Sequence, residues 1–449
     1  MINISSLATF LSINAEDIKE ITPIKSNGDD YIYIVLKRKE ALCPDCLSRK
    51  TELKEYKNRQ IKHALFLGNS TTFILKYRRF RCLECGKTFS EPNYFAPKKS
   101  RVSYETIRVV LDNCKSYSAT WKQIGNIAHI SDTATVDIFD RYVNPARGTL
   151  PRILCMDECY NKHQFSKPYS CILFDFVTPS IIDIFEDRSK YNLAKYFGRI
   201  SENERNNVEY IVMDMWEPYL DIAQRYFPHA TVAIDSFHVL KDIGFALDKV
   251  RRRIMNRYKT YEIQYKLLKK FNFTLFKEYS PWDDKFKVKT LGNKWFNCYQ
   301  IREMILKIDP ELKLAYEFYS LYKYQNKVTS YENAPKIIDS FINNSEIIKI
   351  DEFVSVVSML QNWREWIINS FICVDGRRLS NGPIEGFNSN FKKLMHVANG
   401  LFTFARFRNR LMYCYNKMEC LVPVKSKIVK PGRKKRGKYN KKPLNPDQK

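Results

Sequence analysis

Four of the twelve cysteines form two identical C-x-x-C pairs, and these pairs constrain the fold more than any other feature of the chain. The pairs are Cys43 with Cys46 and Cys82 with Cys85, and residues 47–81 separate them. Two thiolates at this spacing can share a zinc ion, and two such pairs complete a closed tetrahedral site. The separation exceeds the roughly 15–20 residues of a compact four-cysteine module, so the intervening chain must hold structure of its own. The sequence predicts a ribbon-like module with an inserted hairpin and one structural Zn²⁺; two chance pairs of reduced cysteines are the alternative.

One strand of that hairpin is expected between Thr72 and Phe80, where the residue types alternate at the period of a strand. Basic residues interleave with aromatic ones towards the end of this segment, a composition that suits contact with a nucleic-acid backbone and stacking on bases. The candidate DNA contacts are Lys76, Arg78, Arg79 and Arg81.

The net charge of the chain requires an anionic partner. Lys and Arg number 75 against 49 Asp and Glu, which gives +26 and favours nucleic acid. A hydrophobic fraction of 44% excludes wholesale disorder, and no apolar run is long enough to span a membrane. The first residues lack the pattern of a signal peptide. We therefore expect a cytosolic multi-domain protein that binds a polyanion and not a membrane.

The basic residues are concentrated at the end of the chain. Residues 425–449 contain eleven Lys or Arg and one acid, Asp447. The segment shows no apolar periodicity and includes several Pro and Gly residues, so the sequence predicts a disordered tail over 421–449. Such a tail would bind phosphates or, alternatively, only increase solubility.

Residues 118–143 have the spacing of a helix-turn-helix. Ile124 and Ile127 indicate a first short helix, and Ser131 is a good N-cap for a second. Thr133 and Thr135 are the candidate DNA contacts at the start of that second helix. Three aspartates in the same helix would repel phosphate, so ordinary helical packing is the alternative.

Strands and helices alternate from Arg152 onwards, which predicts a mixed sheet under helices. Acidic residues follow two of the expected strands: Asp157 ends the first and Asp214 the fourth. Glu385 lies far downstream in a helix, where Asn388 shares its face at i, i+3. Two Asp and one Glu are hard oxygen ligands that suit two Mg²⁺ or Mn²⁺ ions. Such a pair could activate a water and stabilise the leaving oxygen of a phosphodiester; helix capping by the strand-end aspartates is the alternative.

Several motifs resemble the ISL3 family of bacterial insertion-sequence transposases. They are MDECY, the run from VMDMWEPYL to AIDSFHVLK, LSNGPIEGFNSNFKKLM and FARFRNRLMYCY. The resemblance spans nearly the whole chain, is weakest over 250–365 and is absent from the tail. It implies a ribonuclease H-like core with a DDE triad, interrupted by an all-helical insertion.

Matching the family motifs position by position makes Asp157, Asp214 and Glu385 the triad. Asp235 ends another strand three residues before His238, so it is the alternative second acid. Otherwise Asp235 and His238 would orient the site, as would Asn388. Three alternate arginines in the last motif are candidate DNA contacts or surface ion pairs. They are Arg406, Arg408 and Arg410.

We therefore expect a multi-domain α+β transposase that cleaves double-stranded DNA at terminal inverted repeats, transfers the strand into target DNA and works as a homo-oligomer. A non-enzymatic zinc-containing DNA-binding regulator and a nuclease without strand transfer are the alternatives. The expected parts are a zinc-binding domain (1–99), a helix-turn-helix domain (100–148), a catalytic domain (149–240 and 366–420), a helical insertion (241–365) and the tail (421–449).

Overall fold

The structure is a computed structural model that describes residues 15–26, 29–66, 69–93, 96–98, 100–161, 165–397 and 403–418. It divides into two compact units, one formed by the described residues up to Pro145 and the other by Ala146–Met418. The predicted basic tail lies outside the described residues. Among the described helices, none has the length and apolar character needed to cross a membrane.

A twisted sheet forms the first part of the first unit. Its strands are β1 (Ile18–Ser26), β2 (Asp29–Leu36), β3 (Thr51–Phe66), β4 (Asn69–Cys82) and β5 (Thr88–Ser90). They lie in the order β1-β2-β4-β3, with β5 on the end of β4. The long antiparallel pair β3–β4 is the hairpin predicted between the cysteine pairs. Ile34, Ile61 and Phe73 are fully buried on one face of this sheet.

Three helices complete the first unit: α1 (Tyr104–Cys114), α2 (Trp121–Ala128) and α3 (Asp132–Tyr142). The Ser131 hydroxyl accepts a hydrogen bond from the backbone N–H of Ala134 at 3.1 Å, so its prediction as the N-cap of the second helix is confirmed. A Cβ on Gly125 would lie 2.8 Å from the Ile130 carbonyl oxygen, so the close turn between α2 and α3 requires glycine there. The assignment of Ile127 to the buried face was wrong, because 41% of its surface is exposed.

A second, mixed sheet forms the frame of the second unit. Its strands are β6 (Ile153–Tyr160), β7 (Tyr169–Asp175), β8 (Ser180–Phe185), β9 (Tyr210–Met213) and β10 (Thr231–Ile234). The order is β10-β9-β6-β7-β8. Strands β6, β7 and β8 are antiparallel neighbours, whereas β6, β9 and β10 are parallel. The mixed sheet under helices that the sequence predicted is thus present in this unit.

Helices pack on this sheet and extend away from it. In chain order they are α4 (Lys190–Phe197), α5 (Glu202–Asn206), α6 (Glu217–Tyr226), α7 (Ser236–Met255), α8 (Ile263–Lys270), α9 (Cys298–Leu306), α10 (Pro310–Val328), α11 (Ala334–Ile342), α12 (Asp351–Asn362), α13 (Arg364–Asn369), α14 (Gly382–Val397) and α15 (Phe404–Tyr415). Local signals explain their starts. For example, Asp309 caps α10, accepting from the N–H of Glu311 at 2.8 Å, and Pro310 occupies the first turn.

The predicted insertion is not all-helical, which corrects that expectation. A short antiparallel hairpin, β11 (Phe286–Val288) with β12 (Lys294–Phe296), lies between α8 and α9. A second one, β13 (Cys373–Val374) with β14 (Arg377–Arg378), precedes α14. One continuous apolar core joins the sheet to the helices of the insertion, so the insertion packs as part of the second unit.

Candidate active site and zinc centre

Three aspartates lie at the same level on three adjacent parallel strands. Met156 of β6 pairs with Met213 of β9, which in turn pairs with Ile234 of β10. The next residues along the strands are Asp157, Asp214 and Asp235, all of them buried. The parallel register therefore brings together side chains that are far apart in the sequence.

His238 links two of these aspartates. It lies in the first turn of α7, and its Nδ1 atom is 3.0 Å from Asp214 Oδ1 and 3.3 Å from Asp235 Oδ2. Single ligand atoms of these three side chains lie within 4.8 Å of one another. Burial opposes the protonated imidazole, but the hydrogen bonds and charges of Asp214 and Asp235 outweigh it and raise the pKa of His238 to about 10.

Asp157 lies in direct contact with Asp214. Burial, together with the charge and hydrogen-bond contact of Asp214, raises the pKa of the Asp157 carboxyl to about 8. The charge of His238 and a hydrogen bond from Asn388 act in the opposite direction. Two buried carboxylates in contact form a site that favours a cation.

Helix α14 supplies two amides to the acids. Asn388 Nδ2 donates to Asp157 Oδ2 at 3.1 Å, as its predicted role in orienting the site requires. Asn381, just before the helix, donates through Nδ2 to both Met156 O and Asp214 Oδ1 at 3.3 Å. The Glu385 backbone lies in α14, one turn before Asn388, but its side chain lies outside the described residues.

The sequence did not single out an arginine that lies beside this cluster. Arg188 stacks over the rings of Tyr169 and Trp216, 4.6 and 4.3 Å from their centroids. It also forms an ion pair with Glu158, which points away from Asp157 as strand geometry predicts. Trp216 and Glu158 each lie within two residues of a site acid in the sequence. The three partners of Arg188 come from three separate segments, so no local pattern could identify it.

The four predicted zinc ligands come together in the first unit. Cys43 Sγ lies 3.5 Å from Cys85 Sγ, and Cys46 Sγ lies 3.5 Å from both Cys82 Sγ and Cys85 Sγ. Tetrahedral zinc with Zn–S bonds of about 2.3 Å places sulfurs about 3.8 Å apart. The thiol positions thus fit a closed structural Zn²⁺ site.

Matching backbone turns hold the two cysteine pairs. The N–H of Leu47 donates to Cys43 O at 3.0 Å, and the N–H of Gly86 donates to Cys82 O at 3.1 Å. Both residues are left-handed, with φ of 58° and 72°, a conformation that glycine adopts without strain. The repeated turn explains the presence of a glycine directly after Cys85.

Three of the predicted DNA contacts lie inside the fold, which corrects their assignment. Arg78 is 6% exposed and bonds to the Leu36 carbonyl and to Glu91. Thr135 is buried and donates to the Ser131 carbonyl. Arg410 is also fully buried.

The other candidate contacts are less enclosed. Arg81 and Thr133 are exposed, while Lys76, Arg79 and Arg406 are half-buried. Lys76 stacks over the Tyr56 ring, and Arg79 pairs with Glu55. Arg408 forms an ion pair with the buried carboxylate of Asp183 at 2.6 Å.

Comparison with protein families agrees with this combination of a strand-end acid cluster and a four-cysteine module. Residues 154–411, more than half of the chain, match the ISL3-type DDE model described as a transposase. Residues 39–85 match the zinc-finger of transposase IS204/IS1001/IS1096/IS1165. The chain is thus an insertion-sequence transposase of the DDE class, with a zinc ribbon at its four cysteines. It belongs to the ISL3 family. No curated protein matches the sequence.

Proposed function

We propose that the protein cleaves DNA at the terminal inverted repeats of its element and joins the freed 3′ end to target DNA, with Asp157, Asp214 and Glu385 as the catalytic acids. One observation carries this proposal. Asp157 and Asp214 meet at the same level of adjacent strands, and the helix that carries Glu385 reaches Asp157 through Asn388. Glu385 lies in the same helix, three residues before Asn388.

The side chains at this site fit two Mg²⁺ or Mn²⁺ ions. Carboxylate oxygens are the ligands that these cations prefer, and burial, followed by the charge of Asp214, raises the pKa of Asp157. The Oδ1 atoms of Asn381 and Asn388 are buried and accept no hydrogen bond within the described residues. Bound there, the ions would activate the attacking hydroxyl and stabilise the leaving oxygen.

Asp214 is the better second catalytic acid, and Asp235 acts through its neighbours. Asp235 Oδ1 accepts from the N–H of Asn381 at 3.2 Å, and Oδ2 faces His238. Asp214 instead contacts Asp157 directly. His238, held between the two aspartates, fixes the orientation of the Asp214 carboxylate and balances part of the charge of the site.

The remaining modules would hold the DNA. Three antiparallel strands followed by two parallel ones support a ribonuclease H-like core over 149–240 and 366–420, with residues 241–365 as its insertion. The α2–turn–α3 pair supports a helix-turn-helix, where Thr133 is exposed in the first turn of α3. Arg81 and the basic tail would contact phosphates, and the active form would be a homo-oligomer.

A strand-transfer assay tests the proposal. The full-length protein is incubated with Mg²⁺, target plasmid and a duplex that carries the end of the element, alongside Asp157→Asn and Asp221→Asn variants. Asp221 is an exposed aspartate paired with Lys190, so its replacement is a matched control. We expect cleavage and joining with the wild type and the control, and neither with Asp157→Asn.

Other outcomes would contradict the proposal in different ways. DNA binding without cleavage by the wild type would indicate a regulator. Cleavage without joining would indicate a nuclease. Full activity of Asp157→Asn would refute the assignment of the site.

A further inference from the structure

The β11–β12 hairpin of the second unit exposes an unusual density of aromatic side chains. Trp282, just before it, is 92% exposed, and Trp295 of β12 is 59% exposed. Phe286 of β11 is 38% exposed. Clustered exposed apolar groups with a polar surround mark interaction surfaces on proteins. We call residues 281–296 the tryptophan hairpin.

The tryptophan hairpin is firmly anchored, although its tip is exposed. Val288 is buried in the core of the second unit. Asn297 is completely buried, and its Nδ2 atom donates to the carbonyls of Pro281 and Asp283 at 2.8 and 3.2 Å. Both exposed tryptophans therefore lie within two residues of a fixed anchor point, and their indoles are presented at little entropic cost on binding.

The charges of the tryptophan hairpin differ from those of the helices around it. Lys285, Lys287, Lys289 and Lys294 are all exposed, and within the described residues none has a carboxylate at salt-bridge distance. Lys287 instead lies over the Trp295 ring, 5.6 Å from its centroid.

The arginines of the insertion, in contrast, pair with carboxylates of the same unit. Arg253, for example, bonds to Glu311 and Glu352, and Arg251 bonds to Asp248. Cations in the tryptophan hairpin are thus available for an external anion. Lys269 and Lys270 at the end of α8 are also exposed.

We infer that the tryptophan hairpin is a DNA-binding element that holds a strand with unpaired bases. Its lysines would contact successive phosphates, while Trp282 and Trp295 stack on bases. Stacking needs an uncovered ring, and Trp282 offers nearly its whole surface. Proteins bind single-stranded nucleic acid with basic surfaces in which aromatic rings alternate with cations, as they do here. A protein partner fits less well, because it would bury the lysines without compensating their charge. This inference rests on the proposed function, because strand cleavage and joining release DNA ends whose bases can unpair.

Fluorescence anisotropy with the full-length protein tests the inference. The probes are labelled oligothymidine and a fully paired duplex, both without Mg²⁺. We expect Trp282→Ala to weaken oligothymidine binding about fivefold or more and duplex binding much less. Replacing Lys285, Lys289 and Lys294 by Ala should lower the slope of log affinity against log salt by about 2. Tyr324→Ala and Lys313→Ala are controls, since both residues are exposed on α10 in the same insertion.

Each contrary result has a definite meaning. Unchanged oligothymidine binding by the hairpin variants, or no binding by the wild type, would overturn the inference. Equal weakening on both probes would overturn base stacking in favour of duplex contact. A loss of self-association in sedimentation velocity, with DNA binding intact, would assign the surface to a protein partner. Binding here needs no cleavage and is measured without Mg²⁺, so the hairpin variants test this inference whether or not the proposed cleavage occurs.

Discussion

Replacing Arg408 by alanine should destabilise the second unit rather than weaken DNA contact. The guanidinium lies 2.6 Å from Asp183 Oδ1, and the two side chains are 19% and 7% exposed. Removing one partner of a buried ion pair costs about 3–5 kcal/mol, because the other charge is left uncompensated. Asp183 keeps a hydrogen bond from the Tyr196 hydroxyl at 3.0 Å, and Arg408 is partly solvated, so the lower end applies. We expect a loss of about 3 kcal/mol in the free energy of unfolding, or roughly 6–12 °C in Tm.

Urea unfolding followed by circular dichroism measures this loss. Adding Asp183→Asn to Arg408→Ala should restore part of the stability, since it removes the buried charge. Arg225→Ala, at an exposed arginine of α6 in the same unit, is the matched control and should lose much less. DNA affinity per folded molecule should stay unchanged in Arg408→Ala. Wild-type stability combined with weaker DNA binding would refute the reasoning and would place Arg408 at the DNA.

Three further expectations follow from single contacts. Burial lowers the pKa of His63 to about 4, so below about pH 6.5 the unfolded chain binds a proton that the folded chain does not. The free energy of unfolding should therefore fall by up to about 1.4 kcal/mol per pH unit between pH 6.5 and pH 4. Urea unfolding of His63→Gln at several pH values should lack this component, and a slope identical to that of the wild type would contradict it. Gly86→Ala should reduce stability by about 1 kcal/mol and weaken zinc binding in chelator competition, because its φ of +72° strains any residue with a side chain. The new Cβ meets no other atom within 4 Å, so no steric clash adds to this cost. Unchanged zinc affinity would show that the turn tolerates a side chain. Asn381→Ala should slow strand cleavage in single-turnover kinetics and leave DNA affinity unchanged, because the amide that holds Asp214 is lost. A change in DNA affinity without a change in cleavage rate would argue against this positioning role.

The sequence predicts the strands of the second unit well because their apolar runs are short and bounded by turn residues. It fails where a strand changes its neighbours. Arg78 was expected on the exposed face of β4, but β2 stops pairing with β4 at Lys76. Beyond that point the Arg78 guanidinium turns inward and bonds to the free carbonyls of Leu36 and Lys37. This burial of Arg78 depends on tertiary contacts, which the alternation of residue types along a single strand does not encode.

The acids of the site were predictable, whereas their supporting contacts were not. Asp214 directly follows the apolar strand β9, a signal that is visible in one dimension. Asp157 was expected to end its strand, but β6 continues to Tyr160, so Asp157 lies inside it. Asn381 directly precedes a helix, where a cap is expected, yet its amide donates to Met156 and Asp214. A cap and a bridge between strands require the same residue type, so only the fold distinguishes them.

The insertion is anchored close to the site, which matters for Glu385, the proposed third acid, because it follows Asp235 by 150 positions. The chain leaves the site through α7, which begins directly after Asp235. It returns through α13, where Asn369 Nδ2 donates to Val232 O of β10 at 2.8 Å. Arg378 then fixes the approach to α14 through Ser370 O at 2.7 Å and the Phe371 ring at 4.0 Å. Both ends of the insertion are thus tied to the strand that carries Asp235, so the helix bearing Glu385 starts from a fixed point. Disrupting these return contacts should therefore disturb the geometry of the acids, although the contacts lie outside the acid cluster itself.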